Sequence, residues 1–238
     1  MIEAYMGVDL NNPLAVKYNE LSLKSFECVS DIFKINVMQC ITPDTLFPHL
    51  TLSKHKDRSP QEIAHIHSTF RLMRRISRGE RLWIMEHDAY LIPEQVDMFR
   101  RIMLKYTEMP TCNIGIALEC YTVIPQIAEM FCEHVINDEM HNCRGPMSIL
   151  HSVTDFYCKA NNNNRYNVYW PKKGMDNKTG VSVNVSHAHT RPSVVLDSPI
   201  TQLIDENQGC TVTDRTRFQG KERYYNSKTH PNFHFVTL

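Results

Sequence analysis

Long apolar runs are missing from this 238-residue chain. Nothing approaches the roughly 20 uninterrupted apolar residues of a membrane-spanning helix, so no membrane partner is expected. A secretory signal is missing too. Met1-Ile2-Glu3-Ala4-Tyr5 has neither a basic nor an extended apolar region, which predicts a cytoplasmic protein whose first residues form a strand. The eight cysteines, at 28, 40, 112, 120, 132, 143, 158 and 210, contain no Cys-x-x-Cys. They read as reduced thiols, several in the core, rather than a metal cage or a disulfide framework. The sequons Asn177-Lys178-Thr179 and Asn184-Val185-Ser186 then read as chance matches. Net charge is also absent, 26 Lys and Arg against 26 Asp and Glu, so bulk charge neither demands nor excludes nucleic acid. No internal repeat is evident. What remains, 42% hydrophobic and 22% charged residues, is the composition of a globular protein long enough for one large core.

The stretch that organises the chain is Gly79-Glu80-Arg81-Leu82-Trp83-Ile84-Met85-Glu86-His87-Asp88-Ala89-Tyr90-Leu91-Ile92-Pro93. A continuous apolar run bounded by Gly and Pro predicts a strand buried on both faces. Carboxylates cannot lie inside such a strand uncompensated. Glu86 and Asp88 are therefore expected where the strand emerges at the carboxyl edge of a sheet, the edge at which open α/β sheets bind ligands. Two apart, they share a face of a straight strand and suit a hard cation such as Mg²⁺ or Mn²⁺ that bridges to phosphate. The plainer reading is a strand ending in a polar turn.

Upstream, Ile2–Val8 reads as a strand and Asn11-Asn12-Pro13 as a helix start. Leu14, Tyr18, Leu21 and Phe26 follow at helical spacing, and 33–41 reads as the next strand. Strand, helix, strand with short joints predicts a parallel sheet. Residues 46–60 are loop-like. The helix predicted over 60–76 carries Arg71, Arg74, Arg75 and Arg78 on one face, either solvated or meeting phosphate. A helix opened by Pro93 is expected to follow the acidic motif directly. Residues 112–125 then read as an apolar strand that passes Gly115 and a single carboxylate, Glu119, before Pro125 opens another helix. Gly115 leaves room for close backbone approach. Glu119 is either functional or a strand-end residue facing water. A helix over 147–160 carries Asp155.

Further on, 180–186 alternates as a strand does and delivers His187-Ala188-His189-Thr190-Arg191-Pro192. Imidazoles at alternate positions can ligate Mn²⁺, and an adjacent Arg can hold a diphosphate bidentately. From Gly209 the chain mixes Arg215, Arg217, Lys221 and Arg223 with aromatic residues. That mixture suits either nucleic acid or an arm packed on the domain.

Strand, Glu86-His87-Asp88 and a Pro-opened helix together resemble the metal-binding motif of GT-A glycosyltransferases, in its Glu-x-Asp form. The late His-x-His with Arg191-Pro192 is similar to the segment that completes the metal site in several of those families. The resemblance implies a GT-A-like, Rossmann-type α/β fold: a mixed, mostly parallel sheet flanked by helices over 1–208, with a basic aromatic C-terminal arm over 209–238. It implies Mn²⁺ or Mg²⁺ held by Asp88 and by His187 or His189, with Glu86 either a further ligand or a ribose contact, and a UDP-sugar donor contacted by Tyr5, Gly7, Asp9, Glu86 and Arg191. Glu119 or Asp155 would be the base if the reaction inverts the anomeric centre. The overall look is similar to the small bacteriophage enzymes that add arabinose or glucose to 5-hydroxymethylcytosine. That implies a DNA acceptor, with Arg71, Arg74, Arg75, Arg215, Arg217, Lys221 and Arg223 as phosphate contacts, and a host cytoplasm as location. Saccharide or protein acceptors are the alternative. A non-catalytic nucleotide-sugar or DNA-binding module comes third, and a metal-dependent nuclease or phosphatase last.

Overall fold

The structure, a computed structural model, describes residues 1–50, 58–108, 110–115, 119–137, 145–161, 167–169, 198–205 and 233–236. Nine strands and five α-helices are seen among these: β1 (Ile2–Val8), α1 (Pro13–Phe26), β2 (Phe33–Gln39), α2 (Pro60–Ser77), β3 (Leu82–Glu86), β4 (Ala89–Leu91), α3 (Val96–Lys105), β5 (Thr111–Ile114), β6 (Cys120–Val123), α4 (Pro125–Asn137), α5 (Pro146–Ala160), β7 (Asn167–Tyr169), β8 (Ile200–Asp205) and β9 (Phe233–Val236).

Six strands form the main sheet in the order β2-β1-β3-β6-β5-β7. Five run parallel; β6 alone is reversed, paired antiparallel with both β3 and β5. The mixed, mostly parallel α/β sheet expected from the sequence is present. The smaller sheet, β4-β8-β9, was not foreseen: β4 intervenes between the acidic motif and the helix after Pro93. The 112–125 region also differs from the single strand expected. It forms two antiparallel strands, β5 and β6, with Gly115 at φ +99° leaving the first.

Alternation along β3 divides the core. Leu82 and Ile84 pack with α2, α4 and α5, whereas Trp83 and Met85 pack with α1 and α3. Trp83 is fully buried, and a side chain of that size removes about 150–250 Å² from water, about 4–6 kcal/mol of gross hydrophobic stabilisation. Thr122 Oγ donates to the Leu82 carbonyl at 2.8 Å, so the reversed strand is tied to β3 by a side chain as well as by its ladder.

The helices start where their sequence signals place them. Asn12 Oδ1 accepts the N–H groups of Leu14 and Ala15 at 3.0 and 3.3 Å. Ser59 and Glu62 form a reciprocal capping box at the start of α2, worth about 1 kcal/mol in such motifs. Because α2 joins two parallel strands, it runs back against them. Its N-terminus therefore lies over the carboxyl edge of the sheet and its arginine-rich C-terminus near the opposite edge.

Candidate functional site

The carboxyl edge gathers carboxylates. Glu86 ends β3, and its N–H donates to the Glu119 carbonyl at 3.0 Å, so the two residues stand side by side on neighbouring strands. Both share the parity of the residues facing α2 and α4. Gly7 lies in register opposite Glu86 on the other flank, and the nearest atom that a Cβ there would meet is Cys40 Cβ, at 3.6 Å. A side chain at position 7 would therefore stand in ordinary contact with Cys40, on the strand face that Glu86 shares.

Asp88 does not continue the β3 face, as a straight strand would have it. The chain turns after Glu86, and Asp88 enters the second sheet. Its carbonyl accepts the Leu203 N–H at 2.8 Å, and its Oδ2 accepts the Gln202 side-chain amide at 2.9 Å. The residue is 2% exposed. Its other oxygen, Oδ1, is buried without a hydrogen-bond partner. A carboxylate oxygen left that way is costly to desolvate and is an acceptor position open to a cation. Beneath it, β4 is held to α1: Ser22 Oγ donates to the Ala89 carbonyl, and Ser25 Oγ accepts the Leu91 N–H at 3.0 Å.

Glu119 is 1% exposed, so it is not the water-facing strand end that was one reading of the sequence. Its side chain folds back over Gly115. A Cβ on Gly115 would land on Glu119 Oε2 and lie 2.7 Å from Cδ and 3.0 Å from Cβ. The left-handed backbone and the missing side chain are both required there.

Electrostatically the three carboxylates form one group. Glu86 keeps 22% of its side-chain surface, yet burial is the first cause that pushes its pKa well above the ordinary 4.5, with Asp88 and then Glu119 adding to it. His65, from the second turn of α2, places Nε2 3.7 Å from Glu86 Oε1. Burial and then His87 pull its pKa to about 4, against Asp88, which acts the other way. Tyr121, buried beside Thr69 with its phenol pKa pushed up chiefly by burial, also feels Glu86.

His65 and Gln202 were missed in the sequence. Nothing in a His within a helix names it as functional. Its position follows once α2 is known to run against β3, which brings the second helical turn over the end of the strand. Gln202 has no sequence signal, because it reaches Asp88 through a strand 114 residues downstream.

Other expected residues are placed differently. Tyr5 lies in mid-strand rather than at the edge. Its hydroxyl donates to Glu3 at 3.2 Å and accepts from Arg75 at 2.9 Å, with the Arg75 guanidinium 4.1 Å from the ring centroid. Asp9 closes the β1–α1 turn, its Oδ1 accepting the Asn11 N–H at 3.1 Å. Asp155, on α5, is not among the groups whose charge reaches Glu86 or His65. His187, His189, Arg191, Arg215, Arg217, Lys221 and Arg223 lie outside the described residues.

Among the described residues, no group of three or more His, Cys, Asp or Glu side chains is arranged to hold a metal ion by itself. Asp88 with Glu86 offers fewer ligands than a closed cage. Mg²⁺-type ions are commonly held in that way, by one or two carboxylates with waters and substrate phosphates completing the shell. The unpartnered Asp88 Oδ1 and the surplus of negative charge fit such an ion. No helix of the described residues is long and apolar enough to cross a membrane. Comparison of the chain with protein-family models, with curated proteins and with solved structures finds no match.

Proposed function

We propose that the protein is a metal-dependent glycosyltransferase of GT-A type that takes its sugar from a UDP-sugar. The observation that carries this reading is the buried Asp88, fixed by Gln202 and presenting an unpartnered oxygen beside Glu86 and Glu119 at the carboxyl edge of a mostly parallel sheet. Asp88, with His187 or His189, would hold Mn²⁺ or Mg²⁺, with Glu86 as a further ligand or as the ribose contact. Bound there, the ion supplies charge stabilisation for the departing diphosphate. Arg191 would add its guanidinium to the same phosphates.

The chain's own residues do the rest. Gly7, in register beside Glu86, would let the donor nucleoside approach the backbone of β1, and Glu86 would meet its ribose hydroxyls. Glu119, positioned by Gly115, is the base favoured over Asp155, because it stands in the carboxylate group and Asp155 does not. In an inverting transfer the acceptor oxygen bonds to the anomeric carbon and its proton passes to the Glu119 carboxylate. The bond from that carbon to the diphosphate breaks, and UDP leaves with the bonding pair. The acceptor we favour is the hydroxyl of 5-hydroxymethylcytosine in DNA, on the resemblance alone; a saccharide or protein hydroxyl is the second reading. A base within a duplex would first have to be flipped out.

Incubation with Mn²⁺ and a panel of UDP-sugars, with and without DNA containing 5-hydroxymethylcytosine, followed by mass analysis of the digested nucleosides, tests the proposal. A pentose or hexose mass on the modified base, lost on chelation and in Asp88→Ala, is expected. UDP-sugar hydrolysis without transfer to DNA moves the acceptor to saccharide or protein. No turnover and no binding of any sugar nucleotide refutes the assignment.

A further inference from the structure

The C-terminal half of α2 builds a second, separate feature. Arg71, Arg74, Arg75 and Arg78, with Phe47, His49 and Phe70, line a groove of about 240 Å³. That is below the roughly 300 Å³ at which small-molecule pockets begin, but ample for a phosphate group. At 1.5 Å per residue, the arginines begin about 9 Å along α2 from His65 and end about 20 Å from it. The groove is therefore too far along the helix to serve a diphosphate held at Asp88.

The four guanidinium groups are not equivalent. Arg71 donates to the Gln39 carbonyl at 2.6 Å, and its Nε is buried without a partner. Arg75 is committed to Glu80 and Tyr5. Arg74 lies over the Phe70 ring at 5.8 Å, and among the described residues neither Arg74 nor Arg78 makes an ion pair. Glu80 offsets one of the four charges, and its reach extends to Arg78 only through space. Glu129 and Glu133 of α4 share the surroundings of Cys132 with Arg74 and Arg78 without pairing to them. Among the described residues the groove lining keeps a positive surplus. Both aromatic rings are occupied, Phe47 between His49 and His67 and Phe70 under Arg74, so the lining offers charge rather than an open stacking face.

We propose that this groove tracks the phosphodiester backbone of a nucleic-acid strand, with Arg74 and Arg78 contacting phosphates and Arg71 and Arg75 serving as its fixed wall. Arg74 to Arg78 spans about 6 Å of helix, close to the roughly 7 Å of axial rise across three successive phosphates at about 3.4 Å per step. The inference rests on the nucleic-acid acceptor proposed above; of the α2 contacts expected there, Arg71, Arg74 and Arg75, it keeps Arg74 and adds Arg78.

The test is the salt dependence of binding to a fluorescein-labelled 20-base-pair DNA duplex, read by anisotropy on the full chain. Each lost phosphate contact lowers the log–log salt slope by about 0.9. Arg74→Gln/Arg78→Gln should therefore lose about 2 from the slope, while Arg74→Lys/Arg78→Lys should keep it. Melting temperatures of both variants, unchanged from wild type, exclude a structural cause. An unchanged slope in the double Gln variant overturns the proposal, as does a wild type that binds inorganic phosphate but not the duplex. UDP-sugar hydrolysis with Mn²⁺, read in parallel, should be the same in the double Gln variant and wild type. If the wild type neither turns over nor binds a UDP-sugar, the glycosyltransferase assignment fails, while the duplex titration still reads the groove.

Discussion

Gly115→Ala perturbs two things at once, and the structure separates them. The backbone at φ +99° is one that a residue with a Cβ adopts at about 1–3 kcal/mol. The new methyl would also land on the Glu119 carboxylate, with Cδ 2.7 Å away, and forcing an extra methyl into a packed site costs about 1–3 kcal/mol more. We expect a total loss of about 2–6 kcal/mol in urea unfolding. Removing the carboxylate first should relieve the second contribution. In a Glu119→Ala background the clash with the carboxylate is gone and only the Cβ at 3.0 Å remains, so the Gly115→Ala cost should fall towards the backbone share, giving a coupling energy of about 1–2 kcal/mol in the double-mutant cycle. Distant, independent sites add to within about 0.3–0.5 kcal/mol, so an additive cycle would refute the account of Gly115 as the residue that seats Glu119. The same variant has a functional reading. If Glu119 is the base, Gly115→Ala should slow transfer while leaving UDP binding intact.

Three further expectations follow from the same geometry. His67, 1% exposed, accepts the Phe47 N–H on Nδ1 at 2.9 Å, and burial followed by His49 pulls its pKa from 6.5 to about 4. Because the folded value is depressed, its contribution is complete above pH 6.5 and is lost as pH falls towards 4, at most about 3 kcal/mol. His67→Asn, which retains an acceptor, should flatten that part of a stability–pH curve measured by denaturant unfolding. Ser22→Ala removes the donor to the buried Ala89 carbonyl and should cost about 1–3 kcal/mol, with metal-dependent turnover reduced because β4 carries the turn that presents Asp88. Asp88→Asn keeps the shape and the Gln202 contact but withdraws a buried charge from beside Glu86. Thermal unfolding of the metal-free protein should show stability equal to wild type or higher, while chelator-sensitive turnover disappears.

Local chemistry made the left side of the sheet legible. Asn12, Pro13 and the Ser59–Glu62 capping box mark helix starts through contacts made within four residues. The apolar 82–85 run marks a strand buried on both faces because every residue in it needs a cover. Glu86 and Asp88 were legible as a pair for the same reason, since charge must leave such a strand. Their separation onto two sheets was not, because Asp88 is drawn away by β8, a partner far downstream. The reversed β6 was hidden in a similar way: 112–125 is largely apolar on either side of Gly115, and only that glycine, among the residues described there, hints that the chain turns. Glu119 is the clearest case. A single carboxylate in an apolar run can face water or be buried, and pairing with β3, not the sequence around it, decides for burial beside Glu86. The arginine face of α2 was visible as a spacing, but which guanidinium groups are committed depends on Gln39, Glu80 and Tyr5, each brought in by the fold.

The central claim, that Asp88 and its neighbours bind a sugar nucleotide through a divalent cation, is tested most directly by calorimetric titration of UDP into the full chain with and without Mn²⁺, in wild type and in Asp88→Asn. The account predicts UDP binding that requires Mn²⁺ in the wild type and is lost in Asp88→Asn, with both proteins equally folded. UDP binding of equal strength without the metal, or undiminished in Asp88→Asn, would contradict it.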